Sequence, residues 1–232
     1  MEDAEEAMAR QRRVVGIMAK APIAGEAKTR LIPRLGAAQA ALLYRQMLLD
    51  SIDLVVEALA GDGAVSIICP TAAHRSILQS LVPRFVEVVT HERGDLMSGL
   101  NYGLNYHIAQ GYQQVVLFNG DSPTLPAQYL RAAFGHLDGE TVVLGPTLDG
   151  GYYLIGASAP QPDLFAWEQP DSATIYQRTR ERAEARGMWV ASLEPWYDID
   201  TAEDLARLLD AFRAQEPGAP RTRQLLAERH EL

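Results

Sequence analysis

Apolar and polar positions along this chain follow two periods, and the places where one gives way to the other mark out the elements. Val14 to Met18 is a short apolar run feeding a loop punctuated by Gly25, Pro22 and Pro33, which predicts a buried strand. After Gly36, the residues Leu42, Leu43, Met47, Ile52, Val55, Val56 and Leu59 recur at helical spacing until Gly61 and Gly63 stop the helix. The stretch AVSIICP over 64–70 predicts a strand closed by Pro70, residues 72–81 a helix, and FVEVV after Pro83 a further strand.

Beyond a polar loop at 90–95, residues 96–110 carry apolar and aromatic side chains three to four apart and predict a helix despite two glycines. QVVLFN, 114–119, is the strongest strand signal and ends directly in Gly120, Asp121, Ser122 and Pro123. A helix over 127–137 leads to TVVLGP, a turn containing Asp149, Gly150 and Gly151, and YYLIGA, which together predict a hairpin. A Pro-rich excursion over 158–171, a helix over 172–186, the strand MWVASL and a final helix from Thr201 complete the pattern. Strand and helix alternate throughout, so the expected fold is α/β: a single-domain, Rossmann-like three-layer fold whose sheet is mostly parallel with at least one antiparallel strand. Residues 1–13 are expected to be a flexible start, 14–216 the folded domain, and 217–232 a charged, partly ordered tail.

Composition narrows the partners. The 232 residues suit one large domain with a full core. With 30 acidic against 21 basic residues, an extended nucleic-acid surface or an anionic membrane surface is not expected. Cys69 is the only cysteine, which excludes an internal disulfide and a thiolate metal cluster and suits a reducing cytoplasm. No run reaches membrane-spanning length, and the start of the chain does not read as a secretory signal. The oligomeric state is left open.

Against that acidic background the loop after the first strand stands out. It holds Lys20, Lys28, Arg30 and Arg34 and sets only Glu26 against them. A strand feeding a cationic loop and then a long helix is a common phosphate-binding arrangement at the carboxyl edge of an α/β sheet, although a solvated basic loop has the same composition. Asp121, after the strongest strand, could ligate a divalent ion that also holds phosphate oxygens, or simply cap the next turn. Asp200 lies three residues before Glu203, the spacing of a helix N-cap with a returning acidic partner, so capping is its expected role and Asp198 becomes the better second metal ligand. Gly150 and Gly151 admit either a turn or the close approach of a ligand to the backbone. Tyr152, Tyr153, Trp167 and Trp196 could stack on a base or sugar, but scattered aromatics are more often core. The histidines show no ligand spacing.

Four motifs carry a resemblance: AKAPIAGEAKTRLIPRLG at 19–36, GDSPTLP at 120–126, LGPTLDGGYYLIG at 144–156 and YDIDTAEDL at 197–205. In order over nearly the whole chain, they resemble the bacterial glycosyltransferase-like proteins, named by association with arsenosugar biosynthesis, of the nucleotide-diphospho-sugar transferase superfamily. The resemblance implies a GT-A-like fold with nucleotide across the carboxyl ends of the first strands. It implies Asp121 and Asp198 beside Mg2+ or Mn2+, and Lys28 and Arg30 on phosphate. Lys20, Gly120, Gly150 and Gly151 are the further candidates for the nucleotide site. The stretch from Gly94 to Gly99 departs from that family's usual continuation of Gly-Asp-Leu into Gly-Glu-Arg, and Gly99-Leu100-Asn101 looks a little like the matching segment of the phospholactate guanylyltransferases.

Two transfers are therefore weighed. Glycosyl transfer from a nucleotide sugar to a small acceptor needs one metal-bearing carboxylate, Asp121, and, for an inverting outcome, a base, for which Asp149 is the candidate. Nucleotidyl transfer from a nucleoside triphosphate to a small phosphorylated or carboxylated acceptor also wants cations on the β and γ phosphates, which Lys20, Lys28 and Arg30 would supply. The family resemblance puts glycosyl transfer first and nucleotidyl transfer second. A nucleotide-binding module without turnover is the third reading.

Overall fold

A computed structural model describes residues 13–92, 95–161, 164–165 and 174–229. Seven strands form one sheet: β1 Arg13–Met18, β2 Ala64–Cys69, β3 Glu87–Thr90, β4 Gln114–Asn119, β5 Thr141–Pro146, β6 Tyr152–Ala157 and β7 Trp189–Ser192. Their order is β3-β2-β1-β4-β6-β5-β7, and every pair is parallel except the two that β6 makes. The chain is thus a single α/β domain, with the expected hairpin supplying the antiparallel strand. The short runs become strands because both of their faces are covered. Val15 and Ile17 pack with one set of helices, while Val14 joins the other.

One face carries α1 Ala37–Leu59, α2 Ala72–Leu81 and α4 Ala127–His136, and the other carries α3 Leu96–Ala109 and α5 Ile175–Ala185. Two further helices, α6 Ala202–Arg213 and α7 Pro220–Glu228, pack outside α1 through Leu205, Leu208, Phe212 and Leu226 against Leu43 and Met47. The charged segment expected as a partly ordered tail is therefore a docked helix. Buried Asp50 of α1 accepts the backbone N–H groups of Arg221 and Thr222, and the Thr222 hydroxyl donates to it at 2.7 Å. The missing helical signal lay in partners far away in sequence, not in the segment itself.

Other boundaries shift by a few residues. β3 begins at Glu87, leaving Phe85 exposed, and β7 spans only Trp189–Ser192. Residues Thr29–Leu31 form a 3-10 turn that runs into a short helix, Ile32–Leu35, with Pro33 in its first turn. Cys69 is buried at the end of β2. Among the described residues no helix is long and apolar enough to cross a membrane.

Candidate functional site

The carboxyl ends of β1 and β4 lie side by side, with Met18 paired to Asn119 and the Gly120 N–H reaching the Met18 carbonyl. From this edge the cationic loop leaves β1 and the Gly120–Pro126 loop leaves β4, and between them opens a cleft of about 410 Å³. Lys20, Lys28, Arg30, Asp121 and Asp200 all line it, so the structure gathers residues separated by up to 180 positions, from Lys20 to Asp200.

At its centre is the Lys28 ammonium. It lies 2.6 Å from Asp121 Oδ1 and donates to Asp200 Oδ1 at 2.7 Å. It sits 5.6 Å from the centre of the Tyr44 ring. The lysine side chain is only 4% exposed, whereas those of Asp121 and Asp200 are 32% and 44% exposed, so the carboxylates face the cleft and the lysine lies beneath them. Burial alone would lower the Lys28 pKa, but the two carboxylates outweigh it and hold the ammonium above the ordinary lysine range. Burial pushes the Asp121 carboxyl up against the pull of that ammonium, and the Asp200 charge adds to the rise. Lys28 itself has φ of 50° and ψ of 46°, a left-handed conformation that a non-glycine residue adopts only where its surroundings enforce it.

The start of the same loop is anchored by two long-range bonds. The Lys20 N–H donates to the Tyr44 hydroxyl at 3.1 Å, and the Ala21 N–H donates to His74 Nδ1 at 2.8 Å. Burial holds the Tyr44 hydroxyl well above the usual phenol range, so it keeps its proton while accepting that bond. Neither Tyr44 nor His74 stood out in the sequence, because each acts on backbone groups far along the chain.

The segment from Asp198 to Thr201 is arranged differently from the expected pattern. Thr201, not Asp200, caps α6: its hydroxyl accepts the Asp204 N–H, and the Asp204 carboxylate returns to the Thr201 N–H at 2.8 Å. This one-residue shift releases Asp200 to Lys28. Asp198, expected as the second metal ligand, does not line the cleft. Its Oδ1 accepts from Asn119 at 2.9 Å and from the buried Ser122 hydroxyl at 2.8 Å, tying the strand end to the loop that carries Asp121. Burial first, and the Asp121 charge second, push the Asp198 carboxyl up to about 6. The Ile199 N–H donates to the Asp121 carbonyl, so the segment is stitched to that loop on both sides.

Asp149, Gly150 and Gly151 lie at the same edge of the sheet but do not line this cleft. Asp149 Oδ1 accepts from the Thr147 hydroxyl at 2.6 Å and the Gly151 N–H at 3.3 Å, which makes it a turn staple. Gly150 has φ of 95° and its carbonyl accepts from Tyr176, consistent with a turn requirement. Gly120 is buried, and its carbonyl accepts from Ser51. Tyr153 is core, its hydroxyl donating to the Glu194 carbonyl, and Trp196 stacks on Tyr197. Trp167 lies outside the described residues.

Asp121 and Asp200 offer oxygen donors alone, which suits a hard divalent ion, and among the described residues no group of three or more His, Cys, Asp or Glu could hold a metal. A pair of carboxylates fits a Mg2+ whose remaining positions are taken by water and phosphate.

Residues 54–168 match a family described as an uncharacterized protein conserved in bacteria, DUF2064. Over 216 residues the chain is 31% identical to a 3-phospho-D-glycerate guanylyltransferase of Phenylobacterium zucineum, covering 87% of this chain and 90% of that one. Among solved structures, a Desulfovibrio desulfuricans G20 protein with the provisional description of nucleotide-diphospho-sugar transferase superposes with a TM-score of 0.83 and 28% identity, over 95% and 96% of the two chains. A nucleotidyl transfer enzyme of Methanothermobacter thermautotroptrophicus superposes at 0.59 with 19% identity, over 87% and 98%, a likeness of fold alone. The guanylyltransferase relative favours the nucleotidyl alternative over the glycosyl reading placed first.

Proposed function

The chain belongs to the family of the 3-phospho-D-glycerate guanylyltransferase and is a transferase, and from that premise we propose that it is a divalent-metal-dependent nucleotidyltransferase. It would join the nucleoside monophosphate unit of a nucleoside triphosphate to a small phosphorylated or carboxylated acceptor and release pyrophosphate. The observation that carries this reading is the convergence of Lys20, Lys28 and Arg30 with the paired carboxylates Asp121 and Asp200 in one cleft. Departure of a nucleoside diphosphate needs one metal-bearing carboxylate. Departure of pyrophosphate puts more charge on the β and γ phosphates and calls for the additional cations found here.

In this scheme an oxygen of the acceptor attacks the α-phosphorus, and the bond from that phosphorus to the bridging oxygen of the β-phosphate breaks. Lys20 and Arg30, at the cleft surface, bind the leaving phosphates. Lys28 supplies a third positive charge from beneath and holds Asp121 and Asp200 in place. Asp121 and Asp200 would hold Mg2+ or Mn2+, which would supply charge neutralisation as the phosphorus–oxygen bonds change. Ser122 and Asn119, through Asp198, keep the Asp121 loop from moving.

The test incubates the full chain with each of the four nucleoside triphosphates, Mg2+ and 3-phospho-D-glycerate, the acceptor named for the relative. Acceptor-dependent release of pyrophosphate is expected. Release of a nucleoside diphosphate from a nucleotide sugar, with no pyrophosphate from any triphosphate, would return the assignment to glycosyl transfer.

A further inference from the structure

A divalent ion entering this cleft would meet a cation built into the protein. The Lys28 ammonium lies 2.6 Å from Asp121 Oδ1 and 2.7 Å from Asp200 Oδ1, so it fills the position between the two oxygens that a bridging metal ion would take. It is not a surface side chain free to step aside. The lysine side chain is 4% exposed, its ammonium faces the Tyr44 ring, and its backbone carbonyl accepts the Leu31 N–H at 2.8 Å. Lys28 also keeps its charge, because the pull of the two carboxylates outweighs its burial.

The donors left for a metal are few. One oxygen of each carboxylate is committed to the ammonium, and among the described residues no set of three or more His, Cys, Asp or Glu could hold the ion. Lys20 lies near enough to Asp121 to add its own positive field, and Arg30 lines the same cleft. A divalent ion arriving alone therefore finds two partly neutralised carboxylates with like charge behind them, and it gains little by giving up its water. A triphosphate reverses the balance. Its negative charge offsets the ammonium, and its oxygens complete the set that Mg2+ prefers.

We propose that Lys28 bars the Asp121–Asp200 pair to a divalent ion arriving alone, so that ion and triphosphate enter the cleft only together. Lys28 then has two opposed effects, attracting the phosphates and repelling the free ion. A lysine that merely grips phosphate has only the first. The two cases separate when the charge is removed: the triphosphate binds less well in both, but the free ion binds better only if Lys28 stands in its place. The inference rests on the nucleotidyl-transfer reading and supplies the order of binding which that reading leaves open.

Electron paramagnetic resonance of Mn2+ tests it, since the signal of the free aqueous ion falls as the ion binds. The full chain, Lys28→Gln and Lys20→Gln are each titrated with Mn2+ alone at one ionic strength. Lys28→Gln keeps a donor for a carboxylate and drops the charge, and it is expected to bind Mn2+ about tenfold or more tightly than the wild type. Lys20→Gln removes a charge not bonded to either carboxylate and is expected to change Mn2+ affinity by about threefold at most. If Lys28→Gln melts too low for titration, Mn2+ alone is expected to raise its Tm while leaving that of the wild type unchanged. Calorimetry of the wild type with the four nucleoside triphosphates is expected to find at least one bound about tenfold or more tightly with Mn2+ than with EDTA, and by linkage that triphosphate raises Mn2+ affinity by the same factor. Free wild type that binds Mn2+ as tightly as Lys28→Gln, equal effects of the two substitutions, or a Tm of Lys28→Gln indifferent to Mn2+ overturns the role of Lys28 and leaves the transfer reading standing. Failure of the wild type to bind any of the four triphosphates with Mn2+ overturns both.

Discussion

Two carboxylate centres in this protein close loops of the same length and do opposite things. Asp200 meets Lys28 across 172 positions, and Asp50 meets Thr222 across 172 positions. Asp50 is 3% exposed and accepts from two backbone N–H groups and a hydroxyl, with the Arg221 guanidinium beside it. Its acceptor capacity is nearly filled by the chain. Asp121 and Asp200 share one ammonium, face a cleft and keep further lone pairs open. A saturated carboxylate fastens a helix, and an unsaturated pair beside exposed cations is poised for a ligand.

The largest effect that would break this contrast is at Asp121. Asp121→Asn is expected to lower kcat for pyrophosphate release by roughly 100- to 1,000-fold, the scale of losing one electrostatic group in a reaction centre. The melting temperature should move by no more than a few degrees, because the change also removes a desolvated charge near Asp198 and Asp200. A comparable loss of stability and activity together would make Asp121 structural, like Asp50.

Asp50→Ala should do the reverse. It strands buried donors of Arg221 and Thr222 and is expected to cost roughly 3 kcal/mol, or about 6–12 °C in Tm by differential scanning calorimetry. The kcat measured at 20 °C should stay within about twofold of wild type. An unchanged Tm would show that α7 is not held through Asp50.

A third polar group, neither saturated by charges nor open to solvent, gives the smaller effect and a pH signature. His107 is fully buried, its Nε2 is 2.8 Å from the Ser66 hydroxyl, and burial pushes its pKa down to about 4. Below the unfolded value of 6.5 the unfolded chain binds a proton that the folded chain refuses. Stability from this residue is therefore full above pH 6.5 and lost as pH falls towards 4, by about 2 kcal/mol between pH 7 and 5. Urea titrations should show that slope, and His107→Gln should flatten it. An identical slope in the variant would place the titration elsewhere.

Much of this was legible in sequence where the deciding forces are local. Val14–Met18, Gln114–Asn119 and the Asp149–Gly151 turn announce themselves because strand burial and turn chemistry act over a few residues. The grouping of Lys20, Lys28 and Arg30 was equally visible, since like charges in one loop stand out against an acidic chain. The cap at Thr201 was misread by one position, because Asp200–Glu203 and Thr201–Asp204 both satisfy the spacing and only backbone dihedrals separate them.

By itself the sequence determined the order of strands and helices, the cationic loop and the placing of Asp121 at a strand end, since each follows from periodicity and neighbouring residues. Only the tertiary structure decided that Asp200 rather than Asp198 turns into the cleft, that Tyr44 and His74 hold the loop, and that the last helix docks on Asp50. Two residues apart, Asp198 and Asp200 would share one face of a regular strand, so their divergence belongs to the irregular backbone of residues 197–200. That choice depends on where the chain returns after some 170 residues, and packing settles it.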